Sequence, residues 1–139
     1  MTVIERSTRQ RSAIRTAVDA AGRPLLAQEV LELAQQEVPG LGLATVYRNL
    51  KSLTEAAELR VVQLPGENPR YERVGHSHHH HFQCRACGKV FDVHACPGDL
   101  SKLAPPGFSV EDHEITLYGQ CADCGVKAPR KRIPIKASR

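Results

Sequence analysis

The sequence has no tryptophan, one methionine, three tyrosines and three phenylalanines in 139 residues. Aromatic rings carry much of the apolar area into most cores, so a chain this poor in them is expected to build two small cores joined by something else. No stretch approaches the ~20 consecutive apolar residues of a membrane-spanning helix. The start, MTVIERSTRQR, has no apolar core for an export signal, so a cytoplasmic protein with no membrane partner is expected. Acidic residues are missing after Gly125, where Lys127, Arg130, Lys131, Arg132, Lys136 and Arg139 stand. The formal charge of +4 comes from this stretch, and without it the remainder is slightly acidic. Residues 126–139 therefore read as a solvated, disordered basic tail, and net charge alone says little about nucleic acid. A more local excess, Arg6, Arg9, Arg11, Arg15 and Arg23 against Glu5 and Asp19, is the kind that touches phosphate.

The first half reads as three helices and a hairpin. Ile14, Ala17, Val18 and Ala21 recur at i, i+3, i+4 and i+7 before Gly22 and Pro24, which predicts a helix from about Thr8 to Ala21. Ala27, Val30, Leu31, Ala34 and Val38 repeat the pattern up to Pro39-Gly40. Val46, Leu50, Leu53 and Ala57 form a third stripe, with Ala44, Arg48 and Lys51 nearly opposite and Tyr47 on the flank. Leu59 to Leu64, a Pro65–Pro69 turn and Arg70 to Val74 read as strand, turn and strand. This is the outline of a winged helix-turn-helix, whose last helix needs donors aimed at the major groove; Arg48 suits guanine, and Tyr47 suits a thymine methyl or phosphate. The pattern is equally that of a plain helical domain with solvated Arg and Lys.

The second half changes chemistry. Cys84-Arg-Ala-Cys87 and Cys121-Ala-Asp-Cys124 are two C-x2-C knuckles separated by 33 residues. In a chain without an export signal they point to one tetrahedral zinc held by four thiolates rather than to disulfides, since each knuckle turns two thiolates toward one ion. A redox-active pair would explain one knuckle but not both. Four thiolates leave no open position, so this zinc is expected to be structural. Cys96 is left over and reads most simply as a plain thiol.

The run His76-Ser77-His78-His79-His80-His81 precedes the first knuckle. If it is the strand that delivers Cys84, alternation sends His78 and His80 to one face and His79 and His81 to the other, as two His-x-His pairs for two ions. Asp92, Asp99 and His113 are the downstream residues able to complete them, although each alone reads as an ordinary surface group.

Gly42 to Leu50 (GLATVYRNL), the His-rich run, Cys84-x2-Cys87-Gly88-Lys89 and His113-x4-Tyr118-Gly119-x-Cys121-x2-Cys124 together resemble the ferric uptake regulator family of bacterial metal-responsive repressors, over about residues 5–125. The resemblance implies an α+β fold: a winged-helix DNA-binding domain at 1–74 and a small α/β dimerisation domain with the four-cysteine zinc site at 75–125. It implies a homodimer that represses palindromic, AT-rich operators of double-stranded DNA when metal is bound. By the family pattern Tyr47, Arg48 and Lys51 belong to the recognition helix, and Arg6 stands where a basic residue reaches the minor groove. Cys84, Cys87, Cys121 and Cys124 match the structural zinc. Glu72, His79, His81 and Asp92 match the sensing site, and His78, His80, Asp99 and His113 match an additional site.

The chain departs from that pattern where the sensed metal is decided. Pro24 stands where iron and peroxide sensors often place a His, and the hairpin offers Val74 and His76 rather than the Cys common in zinc sensors. His-rich N/O coordination favours Zn2+, so a repressor most like the zinc uptake regulators is expected, with an iron or peroxide sensor using Fe2+ or Mn2+ as the alternative. A metal-buffering protein would have no use for a basic helix, and a zinc hydrolase or deaminase lacks its His-Glu-x2-His or related signature. No enzyme is expected.

Overall fold

A computed structural model describes residues 2–75 and 78–125. The tail and His76 lie outside the described residues.

The chain begins with α1 (Val3–Ala21), five residues earlier than the apolar stripe indicates. The cause is a capping box: Glu5 N–H donates to the Thr2 hydroxyl at 3.1 Å, and Thr2 N–H donates to the Glu5 carboxylate at 2.8 Å. These bonds hold the Glu5 carboxyl below its usual pKa. The early start places Arg6 on the helix rather than ahead of it. Gly22, at φ 61°, ends α1 in the left-handed conformation that glycine adopts without strain.

A two-residue strand, β1 (Leu25–Leu26), was not evident from periodicity; it leads into α2 (Ala27–Ala34), which stops short of Val38. Helix α3 (Leu43–Glu55) buries Val46, Leu50 and Leu53. Its expected fourth apolar contact, Ala57, instead lies past the end at φ 58° and exposed. Ala57 N–H donates to Thr54 C=O and Glu58 N–H to Leu53 C=O, both at 3.0 Å, which closes the helix as a Schellman turn.

Strands β2 (Leu59–Val62) and β3 (Arg70–Arg73) form the hairpin, each one or two residues shorter than the sequence indicates. With β1 they make an antiparallel sheet of order β1-β3-β2. Ile14, Val18, Leu25, Val30, Val46, Leu50, Leu53 and Leu59 lie in the core between this sheet and the three helices.

The second half is a three-stranded sheet of order β5-β4-β6, from β4 (His80–Cys84), β5 (Val90–Val93) and β6 (Thr116–Gly119). Strand β5 runs antiparallel to β4 with His81 opposite Asp92, and β6 runs parallel to β4. A single 3-10 turn (Ser101–Leu103) lies in the long connection, and α4 (Ala122–Gly125) follows β6. Its apolar anchor is one small cluster, Val62 and Leu64 of the hairpin against Val90. A core of three side chains cannot hold such a unit by itself, so its order must come from other bonds. One is Arg70, 2% exposed on β3, which donates to the Gly88 carbonyl at 3.0 Å and pairs with Glu67 at 3.2 Å.

Candidate metal centres

Three groups of ligand atoms converge, each with all members within 4.8 Å of one another. The first is Cys84, Cys87, Cys121 and Cys124. Cys84 ends β4 fully buried, and Gly88, at φ 77°, turns the chain back so that its N–H reaches the Cys84 carbonyl. Helix α4 carries Cys124 one turn from Cys121, with Gly125 N–H bonded to the Cys121 carbonyl at 2.8 Å. Cys87 and Cys121 sulfurs are 3.9 Å apart, close to the ~3.8 Å edge of a tetrahedron with ~2.3 Å zinc–sulfur bonds. Backbone N–H groups, first that of Cys87, pull the Cys84 thiol down to about 6, while hydrogen bonds with Cys121 and Cys84 push Cys124 up to about 12. Thiolates this close ionise together only around a cation. All five cysteines are free thiols.

The second group joins the two halves of the molecule. Glu72 stands on β3, His79 immediately precedes β4, His81 is its second residue, and Asp92 is on β5. His79 Nε2 is 3.2 Å from both Glu72 Oε1 and Asp92 Oδ1; His81 Nε2 is 3.6 and 3.5 Å from the same oxygens. Burial works to raise the Glu72 carboxyl, but polar contacts with His81, Asp92 and Arg60 outweigh it and bring it to about 2. Burial and the neighbouring Glu72 push Asp92 up. Two carboxylates that oppose each other's ionisation in a buried site are a cation site in outline. Glu72 Oε2, His81 Nε2 and Asp92 Oδ1 are buried and have no hydrogen-bond partner among the described residues, which a divalent ion would correct. The donor set, two imidazoles and two carboxylates, fits Zn2+, Fe2+ or Mn2+.

Arg60 and His94 were not legible as neighbours of this group. Arg60 on β2 faces Glu72 across the hairpin, and the His94 ring is 5.7 Å from that of His79.

In the third group, His78 Nε2 is 3.1 Å from His80 Nε2 and 3.2 Å from His113 Nε2. The fourth member is Cys96, with its sulfur 3.3 Å from His113 Nε2. Asp99, expected as a ligand here, is not among the converging atoms. Its Oδ1 accepts from the Ser101 amide at 2.9 Å and from the Ser101 hydroxyl, and these bonds lower its pKa.

Tyr47, Arg48 and Lys51 are all exposed on α3 or flank its exposed face. Arg48 is braced by a 3.0 Å bond to the Thr45 hydroxyl. Most of the N-terminal arginines are committed elsewhere: Arg9 to the Glu37 carbonyl, Arg11 and Arg15 to Glu58, and Arg23 to Glu29. Arg6 is exposed on the first turns of α1 and makes no ion pair among the described residues.

A winged helix whose wing shares buried ligand atoms with a cysteine-knuckled sheet defines the class of a metal-responsive regulator. The chain matches the Ferric uptake regulator family over residues 4–118 and belongs to it. It is 34% identical over 122 residues to the zinc uptake regulation protein of Mycobacterium tuberculosis, covering 86% of this chain and 94% of that one. It is 32% identical over 127 residues to the peroxide operon regulator of Bacillus subtilis, covering 88% and 86%. The ferric uptake regulator of Helicobacter pylori, whose structure is described as revealing three functional metal binding sites, has the same fold at a TM-score of 0.64 and 23% identity, covering 84% of this chain and 79% of that one. The chain is thus a metal-responsive transcriptional regulator, a class that binds metal and DNA and is not enzymatic. No helix among the described residues is long and apolar enough to cross a membrane.

Proposed function

We propose that this chain is a zinc-sensing repressor that binds a palindromic, AT-rich DNA operator as a homodimer. The observation that carries the reading is the position of Glu72. It belongs to the wing, whereas His79, His81 and Asp92 belong to the second sheet, so one ion held by all four ties the DNA-binding half to the other half. Metal then sets the angle between them. In a dimer that angle fixes the spacing of two α3 helices, which must enter major grooves ~34 Å apart or a multiple of it. The metal-free protein samples other spacings and binds the operator less well by the fraction of time it is competent.

Zinc is favoured by the ligand spacing. Edges of 3.2 to 3.6 Å suit a tetrahedron with ~2.1 Å bonds to nitrogen and oxygen. The four-cysteine group takes a second, structural zinc. Dimerisation is supported by the apolar side chains exposed on β6, Leu117 and Tyr118, and in the long connection, Leu103 and Phe108. Tyr47, Arg48, Lys51 and Arg6 form the DNA contacts. A second reading, an iron or peroxide sensor, is favoured by the donor set being half carboxylate, which suits Fe2+ or Mn2+.

Demetallated protein reloaded at the four-cysteine group, then titrated separately with zinc, manganese and anaerobic ferrous ion, decides between them by operator gel shift. Zinc is expected to restore binding at the lowest free concentration. His81→Ala is expected to retain the structural zinc and the dimer while losing metal-dependent operator binding; full metal dependence in that variant overturns the assignment.

A further inference from the structure

Resting on the reading of the His run as metal-binding, we infer that Cys96 is a metal ligand. With His78, His80 and His113 it forms a three-nitrogen, one-sulfur centre selective for a borderline-soft cation, Zn2+ in the first place, over Mn2+ and Fe2+.

The first support is convergence. The Cys96 sulfur and three imidazole nitrogens come from three separate segments: the start of β4, the connection after β5 and the stretch before β6. His78 Nε2 sits 3.1 and 3.2 Å from the other two imidazole nitrogens, although rings packed for apolar reasons have no cause to aim their nitrogens at one point. The second is the local backbone around the thiol. Gly98, at φ 89°, folds the chain so that its N–H donates to the Cys96 sulfur at 3.4 Å. The Cys87 N–H makes the same 3.4 Å contact to the Cys84 sulfur in the four-cysteine group. An amide aimed at sulfur favours thiolate, the form that binds metal. The third is that the nearby carboxylates are partly engaged and stand outside the converging atoms: one oxygen of Asp99 accepts from Ser101, and one of Asp112 from the His113 amide.

Thiolate changes what the site prefers. Cys and His suit zinc, whereas carboxylate and water suit manganese. Besides the four-cysteine group, the chain then carries two centres of different softness on opposite faces of one His run: an all-nitrogen-and-oxygen one shared with the wing, and a sulfur-containing one confined to the second half. The latter also fixes the connection between β5 and β6, which has only one 3-10 turn of its own among the described residues.

The test uses zinc in the four-cysteine group to block the other four thiols, so that Cys96, which is exposed, is the thiol left to react. Protein with that zinc in place, verified by metal analysis, is titrated with Co2+ and, in parallel, with Zn2+ or Mn2+ before iodoacetamide. Co2+ is expected to produce a sulfur-to-cobalt charge-transfer band that is lost in Cys96→Ser, kept in Asp99→Asn and kept in Glu72→Gln. Zn2+ is expected to slow Cys96 alkylation at least tenfold, and Mn2+ at equal concentration to leave it nearly unchanged. A Cys96→Ser protein with the full band and unaltered Co2+ stoichiometry, or alkylation indifferent to Zn2+, overturns the assignment of the thiol. Cobalt binding at this site that gives no such band in the wild-type protein and is lost in Asp99→Asn shows a carboxylate ligand instead. Failure of His113→Ala to change Co2+ stoichiometry removes the underlying reading of the imidazoles, an outcome separable from failure of Cys96 alone.

Discussion

Arg60 donates from Nε to Oε1 of Glu72 at 2.6 Å, placing a guanidinium on the same carboxylate oxygen that stands 3.2 Å from His79 Nε2. A second nitrogen of Arg60 lies 3.1 Å from that imidazole nitrogen. The cation therefore sits where the wing would share a metal ion with the second sheet and competes with that ion for Oε1, while Oε2 has no hydrogen-bond partner among the described residues. Arg60 is 44% exposed, so solvent screens much of its charge.

Arg60→Met is expected to raise the affinity of the Glu72 group for Zn2+ by roughly tenfold, about 1.4 kcal/mol, because a like charge and a competing hydrogen bond are both removed. Chelator-competition titration measures it. Weaker binding would mean instead that Arg60 chiefly orients Glu72.

Cys124→Ser should release the structural zinc and monomerise or unfold the second half, since its apolar anchor is only Val62, Leu64 and Val90. Zinc analysis with size-exclusion chromatography checks this. A stable dimer without that zinc would show that the thiolate group is not structural.

At the DNA face, Arg48→Ala should cost about 1 to 3 kcal/mol and relax base preference at one operator position per half-site. Arg6→Ala should weaken binding to many sequences alike and reduce the salt slope by about one per protomer if Arg6 meets phosphate. Affinity against salt for both variants and for a chain ending at Gly125 separates these roles. Loss of binding on tail removal alone, with Arg48→Ala unchanged, would falsify α3 as the reader.

Ala57 holds a left-handed conformation that costs an L-residue about 1 kcal/mol or more, at the turn that leads from α3 into the wing. Ala57→Gly is expected to gain up to about 1 kcal/mol in stability, partly offset by glycine's larger unfolded-state entropy. Denaturant unfolding of metal-loaded protein measures the gain, and a loss would place the strain elsewhere.

The local codes of the chain were legible because they are local. A C-x2-C turn presents two sulfurs whatever surrounds it, helical stripes mark buried faces at Val46, Leu50 and Leu53, and strand alternation sorts His79 and His81 from His78 and His80. The Thr2-x-x-Glu5 box is equally local, yet the apolar stripe marks a later helix start because Val3 and Ile4 are exposed and lie outside it. What completes each ligand group depends on contacts between segments distant in sequence. His81 meets Asp92 through the β4–β5 register, and parallel pairing of β6 with β4 brings the segment holding His113 alongside the His run. That Cys96 rather than Asp99 lies in the group with His78, His80 and His113 follows from the loop path at Gly98 and Ser101, which no periodicity encodes. Arg60 reached Glu72 only because the hairpin pairs them directly. Spacing along the chain sets which atoms can ligate; register and loop path, fixed by packing, set which of them meet.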